Sequence, residues 1–331
     1  MKKIYLLFIL LISLSTYAQK EKGLRTINKE SAQAYINFLA SDDLCGREAG
    51  TQYSRIASEY IKSLLSDMGI RPLFGDTYYQ SFEAYSPDRQ KKISYSVNTD
   101  SILKYRALPV YRKLKMRNVL GYIEGKKKDE YVIVGAHLDH IGMDINLADD
   151  RIYNGADDNA SGVSAVLQIA KAFTQSKVKP ERTIIFAFWD GEEIGLLGSE
   201  YFVQSFPKLS SIKGYLNFDM IGRNNDESKP THVVYFYTKA NPSFGKWMKD
   251  IVQKYKLNLN PDYRPWDKPI GGSDNSSFAK RDIPIIWYHT DGHSDYHQPG
   301  DHADKINWDK LVNITKAAYL NVWNLANVEN Y

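Results

Sequence analysis

Five short segments carry side chains that, brought together, would hold metal ions and activate water. They are His137-Leu138-Asp139, Gly155-Ala156-Asp157-Asp158, Asp190-Gly191-Glu192-Glu193, Asn217-Phe218-Asp219 and Tyr296-His297. Imidazoles and carboxylates are the donors of hydrolytic zinc sites, where bound metal lowers the pKa of water and a free carboxylate takes its proton. Glu192 and Glu193 are the sharpest case. Neighbours leaving a strand point in different directions, so one is placed to bind metal and the other to face the attacking water. Glutamate pairs are common on solvated helices, but this one follows 183–189, a run without charge. Asp219 is an acid between apolar residues, and a buried carboxylate without a partner is costly. A metal is the best partner available. Asp157 and Asp158 precede a helix, where Asp, Asn and Ser all serve as caps. Capping accounts for one of them, not for two adjacent carboxylates flanked by Gly155 and Gly162, and a carboxylate shared by two cations suits such a sharply turned loop. His137 leaves the end of a buried run, with Asp139 at the right reach to accept its other ring N–H. His289, His293 and His297 share one strand-to-loop stretch, and position alone does not choose among them.

These side chains need rigid carriers. The runs 131–136, 183–189, 214–218, 231–237 and 283–288 predict strands, with Pro284 near a strand start, where a missing N–H is tolerated. Helical spacing predicts helices over 30–40 (through Ala34, Tyr35, Phe38 and Leu39), 52–68, 162–173, 196–206, 241–256 and 308–326. The β-rich runs 118–123 and 131–136, joined by a Lys-rich turn, predict a hairpin. Residues 69–117 show little period beyond strand-like alternation at 93–97. Strands alternating with helices imply an α/β fold: a three-layer α/β/α sandwich around a mixed, mostly parallel sheet with helices on both faces. Ligands at the C-terminal ends of parallel strands are what a metal site in such a sheet requires. There is no internal repeat and no low-complexity linker, so a single catalytic domain over 19–331 is expected.

In this order the motifs resemble the di-zinc aminopeptidases related to bacterial leucyl aminopeptidase and aminopeptidase Y, of zinc metallopeptidase clan MH. The resemblance covers residues 118–301 and extends more weakly to 41–47, Ser-Asp-Asp-Leu-Cys-Gly-Arg. It implies a zinc exopeptidase-like fold and two Zn2+ ions per chain, the usual number for such paired sites. His137, Asp157 and Asp219 would hold one ion, and Asp157, Glu193 and His297 the other, with Asp157 shared. It implies Glu192 as general base, Asp139 as orienter of His137, and a cis peptide between Asp157 and Asp158. It selects His297 as the ligand and leaves His140, His289 and His293 as residues that line the cleft or simply its loops. Gly271-Gly272-Ser273-Asp274-Asn275 resembles the family's Gly-Ser-Asp loop, with Asn275 where some relatives carry tyrosine or histidine. The implied reaction removes N-terminal residues from peptides with a free N-terminus, using a hydroxide held between the zinc ions. Trp189, Trp287, Tyr288 and Tyr296 would wall a side-chain pocket or belong to the core. A single-zinc glutaminyl cyclase or a carboxypeptidase-like relative on the same fold is the alternative. A non-catalytic binding protein is disfavoured because every expected ligand and base position is filled.

The bulk properties fit a folded enzyme. The 331 residues are 43% hydrophobic and 25% charged, an ordinary globular balance. Lys2, Lys3, the apolar run 4–12 and Ala18 predict a signal peptide over 1–18, too short to span a membrane. Of 43 basic residues, all but Lys2 and Lys3 remain after its removal, leaving 41 against 39 acidic. That near-neutral balance gives no reason to expect nucleic acid or a membrane surface as partner. Cys45 is the only cysteine, so no internal disulfide forms and none at the cut carries lipid. Export to the periplasm or beyond, as a soluble protein, is the expectation. Oligomeric state leaves no trace in the sequence.

Overall fold

The computed structural model describes residues 17–87, 93–266 and 271–331, so most of the expected signal peptide lies outside the described residues. The strands are β1 (Arg71–Pro72), β2 (Tyr79–Pro87), β3 (Tyr111–Ile123), β4 (Lys127–His137), β5 (Gly142–Met143), β6 (Ile152–Tyr153), β7 (Arg182–Trp189), β8 (Ile212–Phe218), β9 (His232–Thr238), β10 (Asn260–Trp266) and β11 (Ile285–His289). Nine of them form one sheet in the order β1-β3-β7-β4-β8-β11-β9-β10, with β2 also paired to β3. Its centre, β7, β4, β8 and β11, is parallel, and antiparallel partners flank it on both sides. All eight residues of β7 are buried. That is why it reads as an unbroken apolar run and not as an alternation.

The helices are α1 (Lys29–Leu39), α2 (Gln52–Asp67), α3 (Thr99–Arg106), α4 (Gly162–Ser176), α5 (Leu197–Ser205), α6 (Ser243–Tyr255), α7 (Asn275–Ala279) and α8 (Trp308–Asn327). Val134, Phe186, Phe218 and Tyr288 on one sheet face share a core with α1, α2, α4, α6 and α8. Ile133, Trp189, Tyr215 and Trp287 on the other pack with Phe202 of α5 and Phe278 of α7. The result is the expected three-layer α/β/α sandwich. No helix among the described residues is long and apolar enough to cross a membrane.

Several local expectations fail for physical reasons. The predicted hairpin does not form, because β7 lies between β3 and β4, pairing Val119 with Phe188 and Ile133 with Ile185. The Lys-rich turn spends its N–H groups on the approach to β7: Lys126 donates to the Pro180 carbonyl at 2.9 Å and Lys127 to that of Glu181 at 2.7 Å. The buried face of α1 is Ala32, Tyr35, Ile36 and Leu39. Phe38 lies outside it and packs at a tilt against Tyr60 with ring centroids 4.0 Å apart. The unperiodic stretch 69–117 supplies β1, β2, α3 and the start of β3. Residues 93–97 contribute only a bridge between Ser96 and Tyr85. Strand β10 was not foreseen. It contains Pro261 and Pro265, which an edge strand tolerates.

Candidate metal centre

The C-terminal ends of β4, β7 and β8 open into one cleft of about 280 Å³. His137 ends β4, the Asp190–Glu193 turn follows β7, and Asp219 follows β8. In that cleft His137 Nε2 lies 3.2 Å from Asp158 Oδ1 and 3.6 Å from Asp219 Oδ2. On the other side of the same aspartate, His297 Nε2 lies 3.3 Å from Asp158 Oδ2 and 3.0 Å from Glu193 Oε2. Glu192 joins His137 and Glu193 in a further group whose donor atoms all fall within 4.8 Å of one another. The five motifs therefore converge, and each contributes to the cleft.

The aspartate between the two histidines is Asp158, where the shared residue was expected to be Asp157. Asp157 turns away. Its Oδ1 accepts the Gly222 N–H at 2.5 Å, and its Oδ2 lies 3.3 Å from His293 Nε2. The cis peptide likewise joins Asp158 to Asn159, not Asp157 to Asp158. Residues Ala156–Ser161 form one wide turn, and its partners decide which carboxylate faces the cleft. The Asp301 carboxylate accepts N–H groups from both Asp157 and Asp158 at 3.0–3.1 Å. Asn159 donates to the Phe218 carbonyl at 2.9 Å. Gly155 opens the turn at φ +59, and a Cβ there would sit 2.2 Å from the Asp158 carbonyl oxygen, a place for glycine alone.

Arg47 holds the turn from the opposite side. Its guanidinium is buried and donates to the carbonyls of Leu39, Leu138, Asn154, Gly155 and Asp158. Burial lowers its pKa to about 10, against the pull of Asp158, Asp139, Asp301 and Glu193. The roles of Arg47 and Asp301 were missed by sequence reasoning. The signals were an arginine closing the acidic 41–47 segment and an aspartate four residues beyond His297.

Asp139 plays a different part from the one expected. The His137 Nδ1 partner is the Asp139 backbone oxygen, at 3.2 Å. The Asp139 carboxylate instead accepts the N–H groups of Glu192 and Glu193, at 3.1 and 3.3 Å, fixing the turn that presents both glutamates. Gly191 makes that turn at φ +81. His140 also enters the cluster, with Nδ1 2.7 Å from Glu193 Oε1. His289 lines the cleft, held by Asp219 O at 2.6 Å. Asn275 is buried at the start of α7 and does not line the cleft. Trp189 and Tyr288 belong to the core, whereas Trp287 and Tyr296 line the cleft. Beneath it, Trp189 Nε1 donates to Tyr215 Oη, which donates to Asn217, which donates to Ser273. This polar chain ties β7 and β8 to the Ser273 loop.

Electrostatics sort these groups by role. Burial pushes the Glu192 carboxyl well above its ordinary range; His137 opposes this, and Asp219, Asp274 and Glu193 add to it. Burial disfavours charge on Asp158 too, but His140, His137 and His297 hold it well below the usual value. His297 rises to about 10, because Asp158 and Glu193 outweigh its burial. Crowding the carboxylates of Asp158, Glu192, Glu193 and Asp219 into one cleft is costly without cations. The mixed imidazole and carboxylate donors on both sides of Asp158 suit zinc.

A test of this picture lies beside the cleft, at Asp190. Burial and the nearby Asp139 raise its pKa to about 8, opposed by the Arg117 N–H. The folded state then keeps a proton that the unfolded chain releases near pH 4. Its contribution to stability is full below pH 4 and is lost as pH rises to about 8. Asp190→Asn is expected to flatten the fall in Tm between pH 5 and pH 9. Parallel Tm–pH curves for variant and wild type would refute it.

The chain is similar to aminopeptidases and also to a glutamate carboxypeptidase 2 homolog of Caenorhabditis elegans, 32% identical over 53% of this chain and 24% of that protein. A family model described as Peptidase family M28 matches residues 118–322, more than half of the chain. Leucine aminopeptidase 2 of Trichophyton equinum is 31% identical over 174 residues, 50% of this chain and 32% of that protein. The chain spans about a third of the length of the curated relatives it matches. Among solved structures, the LapA aminopeptidase of Legionella pneumophila superposes with a TM-score of 0.70 at 22% identity, covering 95% of this chain and 75% of that one. BSAP, a zinc aminopeptidase from Bacillus subtilis, gives 0.69 at 16% identity over 92% of this chain and 97% of its own. The last two likenesses establish the fold.

Proposed function

Because the chain belongs to peptidase family M28, we propose that it is a two-zinc aminopeptidase that removes residues from the free N-terminus of peptides. The observation that supports this best is the position of Asp158, with one carboxylate oxygen toward His137 and the other toward His297. A carboxylate so placed serves two cations at once. His137, Asp158 and Asp219 would hold one ion, and Asp158, Glu193 and His297 the other. Zinc held by these residues would supply a lowered water pKa and a Lewis acid for the scissile carbonyl. Glu192 takes a proton from the attacking water and delivers it to the departing amine. Asp139 keeps Glu192 aimed by fixing the backbone on which it stands. The side chain of the first residue enters the end of the cleft walled by Met220, Trp287 and Tyr296, which favours an apolar one. The catalytic unit is 19–331, exported by the segment 1–18, and it meets its peptides outside the cytoplasm.

The test uses the purified mature protein on aminoacyl arylamides and on the same compounds with an acetylated N-terminus. Free substrates are expected to turn over, acetylated ones not, and chelation should abolish activity until zinc is restored. Hydrolysis of acetylated substrates would point to a carboxypeptidase-like or endopeptidase reading instead. Cyclisation of an N-terminal glutamine peptide, without release of a residue, would point to a glutaminyl cyclase.

A further inference from the structure

A second, larger recess adjoins the cleft. It measures about 830 Å³ and runs between the Glu48–Thr51 turn, Tyr95, Leu114 of β3 and the Glu193–Gly195 loop. Glu193 lines both spaces. We infer that this recess receives the tail of the substrate beyond its scissile bond, and that the protein prefers peptides of three or more residues with apolar second and third positions. This rests on the aminopeptidase reading and adds to it.

Three observations carry the inference. The first is direction. On the aminopeptidase reading the first residue's side chain lies against Met220 and Trp287, and Glu193, which lines both spaces, marks where the cleft passes into the recess. The departing amine takes its proton from Glu192 and therefore starts out beside Glu192. The next residues of the loop, Glu193 to Gly195, form one wall of the recess. The second is size. Ligand pockets run from roughly 300 to 1,000 Å³. The cleft, at about 280 Å³, falls just short of that range, while the recess lies well inside it. Most of the space for substrate thus lies on the departing side. The third is chemistry. Ala49, Tyr95, Leu114 and Ile194 give the recess apolar surface beside the charged Glu48, Arg112 and Glu193, and burying side chains of the tail against the apolar part is favourable.

The walls have a telling origin. Ala49, Tyr95 and Leu114 all precede the M28-matched segment, which begins at residue 118. Ile194, on the opposite wall, lies within that segment, so the recess is built jointly by the matched part of the chain and by what precedes it.

The experiment compares kcat/KM for an aminoacyl arylamide with a dipeptide, tripeptide and tetrapeptide series of leucine, using wild type, Leu114→Trp and Tyr95→Ala. It also measures binding of the same peptides to the Glu192→Gln protein by calorimetry. In wild type, kcat/KM is expected to rise about tenfold from dipeptide to tetrapeptide, the scale of added apolar contacts. Leu114→Trp fills the recess and is expected to lower the ratio of tetrapeptide to arylamide kcat/KM about tenfold. Tyr95→Ala is expected to lower it about threefold, and carries the test if the tryptophan variant does not fold. A kcat/KM independent of length, or a ratio that neither variant moves, overturns the inference. If wild type hydrolyses nothing, the aminopeptidase reading fails, yet calorimetry still decides on the recess: Kd falling with length supports it, and a flat series overturns it.

Discussion

Asp158→Asn is expected to cost the protein its zinc and its turnover together, while Asp157→Asn spares most of both. The carboxylate of Asp158 faces His137 with one oxygen and His297 with the other, so a single substitution weakens both halves of the proposed pair. Losing a residue that merely supports a ligand typically costs 10–100-fold in metal affinity. Losing one shared by two ions is therefore expected to exceed about 100-fold, with kcat/KM on an arylamide falling in step. Asp157 faces the Gly222 N–H and His293. An asparagine there keeps an oxygen for that N–H, and the loss should stay within about tenfold. Zinc competition against a chromogenic chelator reads both variants directly. If Asp157→Asn proved the more damaging, the geometry of the wide turn would be wrong.

Glu192→Gln should separate metal binding from chemistry. Glutamine matches glutamate in shape but cannot accept a proton, so the protein is expected to retain its zinc while kcat drops by roughly 10²–10⁴. In the proposed mechanism Glu192 acts on the attacking water and the departing amine, so kcat and kcat/KM should fall together and KM should change little. Normal turnover with normal zinc content would remove Glu192 from the role of general base. The pair of variants is more informative than either alone. One is silent because it is empty, and the other is silent while loaded.

Much of this site is legible in the sequence, and where legibility stops has a physical cause. The strands that carry His137, Glu192, Glu193 and Asp219 announce themselves, because their inner stretches 131–136, 183–189 and 214–218, buried on both faces, hold no charge. An acid just past such a run is conspicuous. The choice between Asp157 and Asp158 is different in kind. Both are adjacent, buried and in the same turn, and what points one into the cleft is a set of bonds from Arg47, Asp301 and Phe218. None of those partners is near in sequence. The hairpin expectation failed for a related reason. Strands adjacent along the chain often pair, but β7 arrives from 59 residues past β3 to take the place between β3 and β4. The part given to Asp139 is also a matter of reach. Its carboxylate bonds the N–H of Glu192, 53 positions along the chain, leaving only its own backbone oxygen for His137.

The two clamps on the wide turn also bear on when the enzyme comes into being. Arg47 precedes the turn by more than a hundred residues, and Asp301 follows Asp158 by 143. A ribosome adding roughly 5–20 residues per second needs on the order of 10 s to cover the second interval. Glu193 and Asp219 are added during that interval, while His297 and the Asp301 carboxylate that fixes the turn come only at its end. The proposed site would therefore be completed late in synthesis, after most of the sheet has been translated.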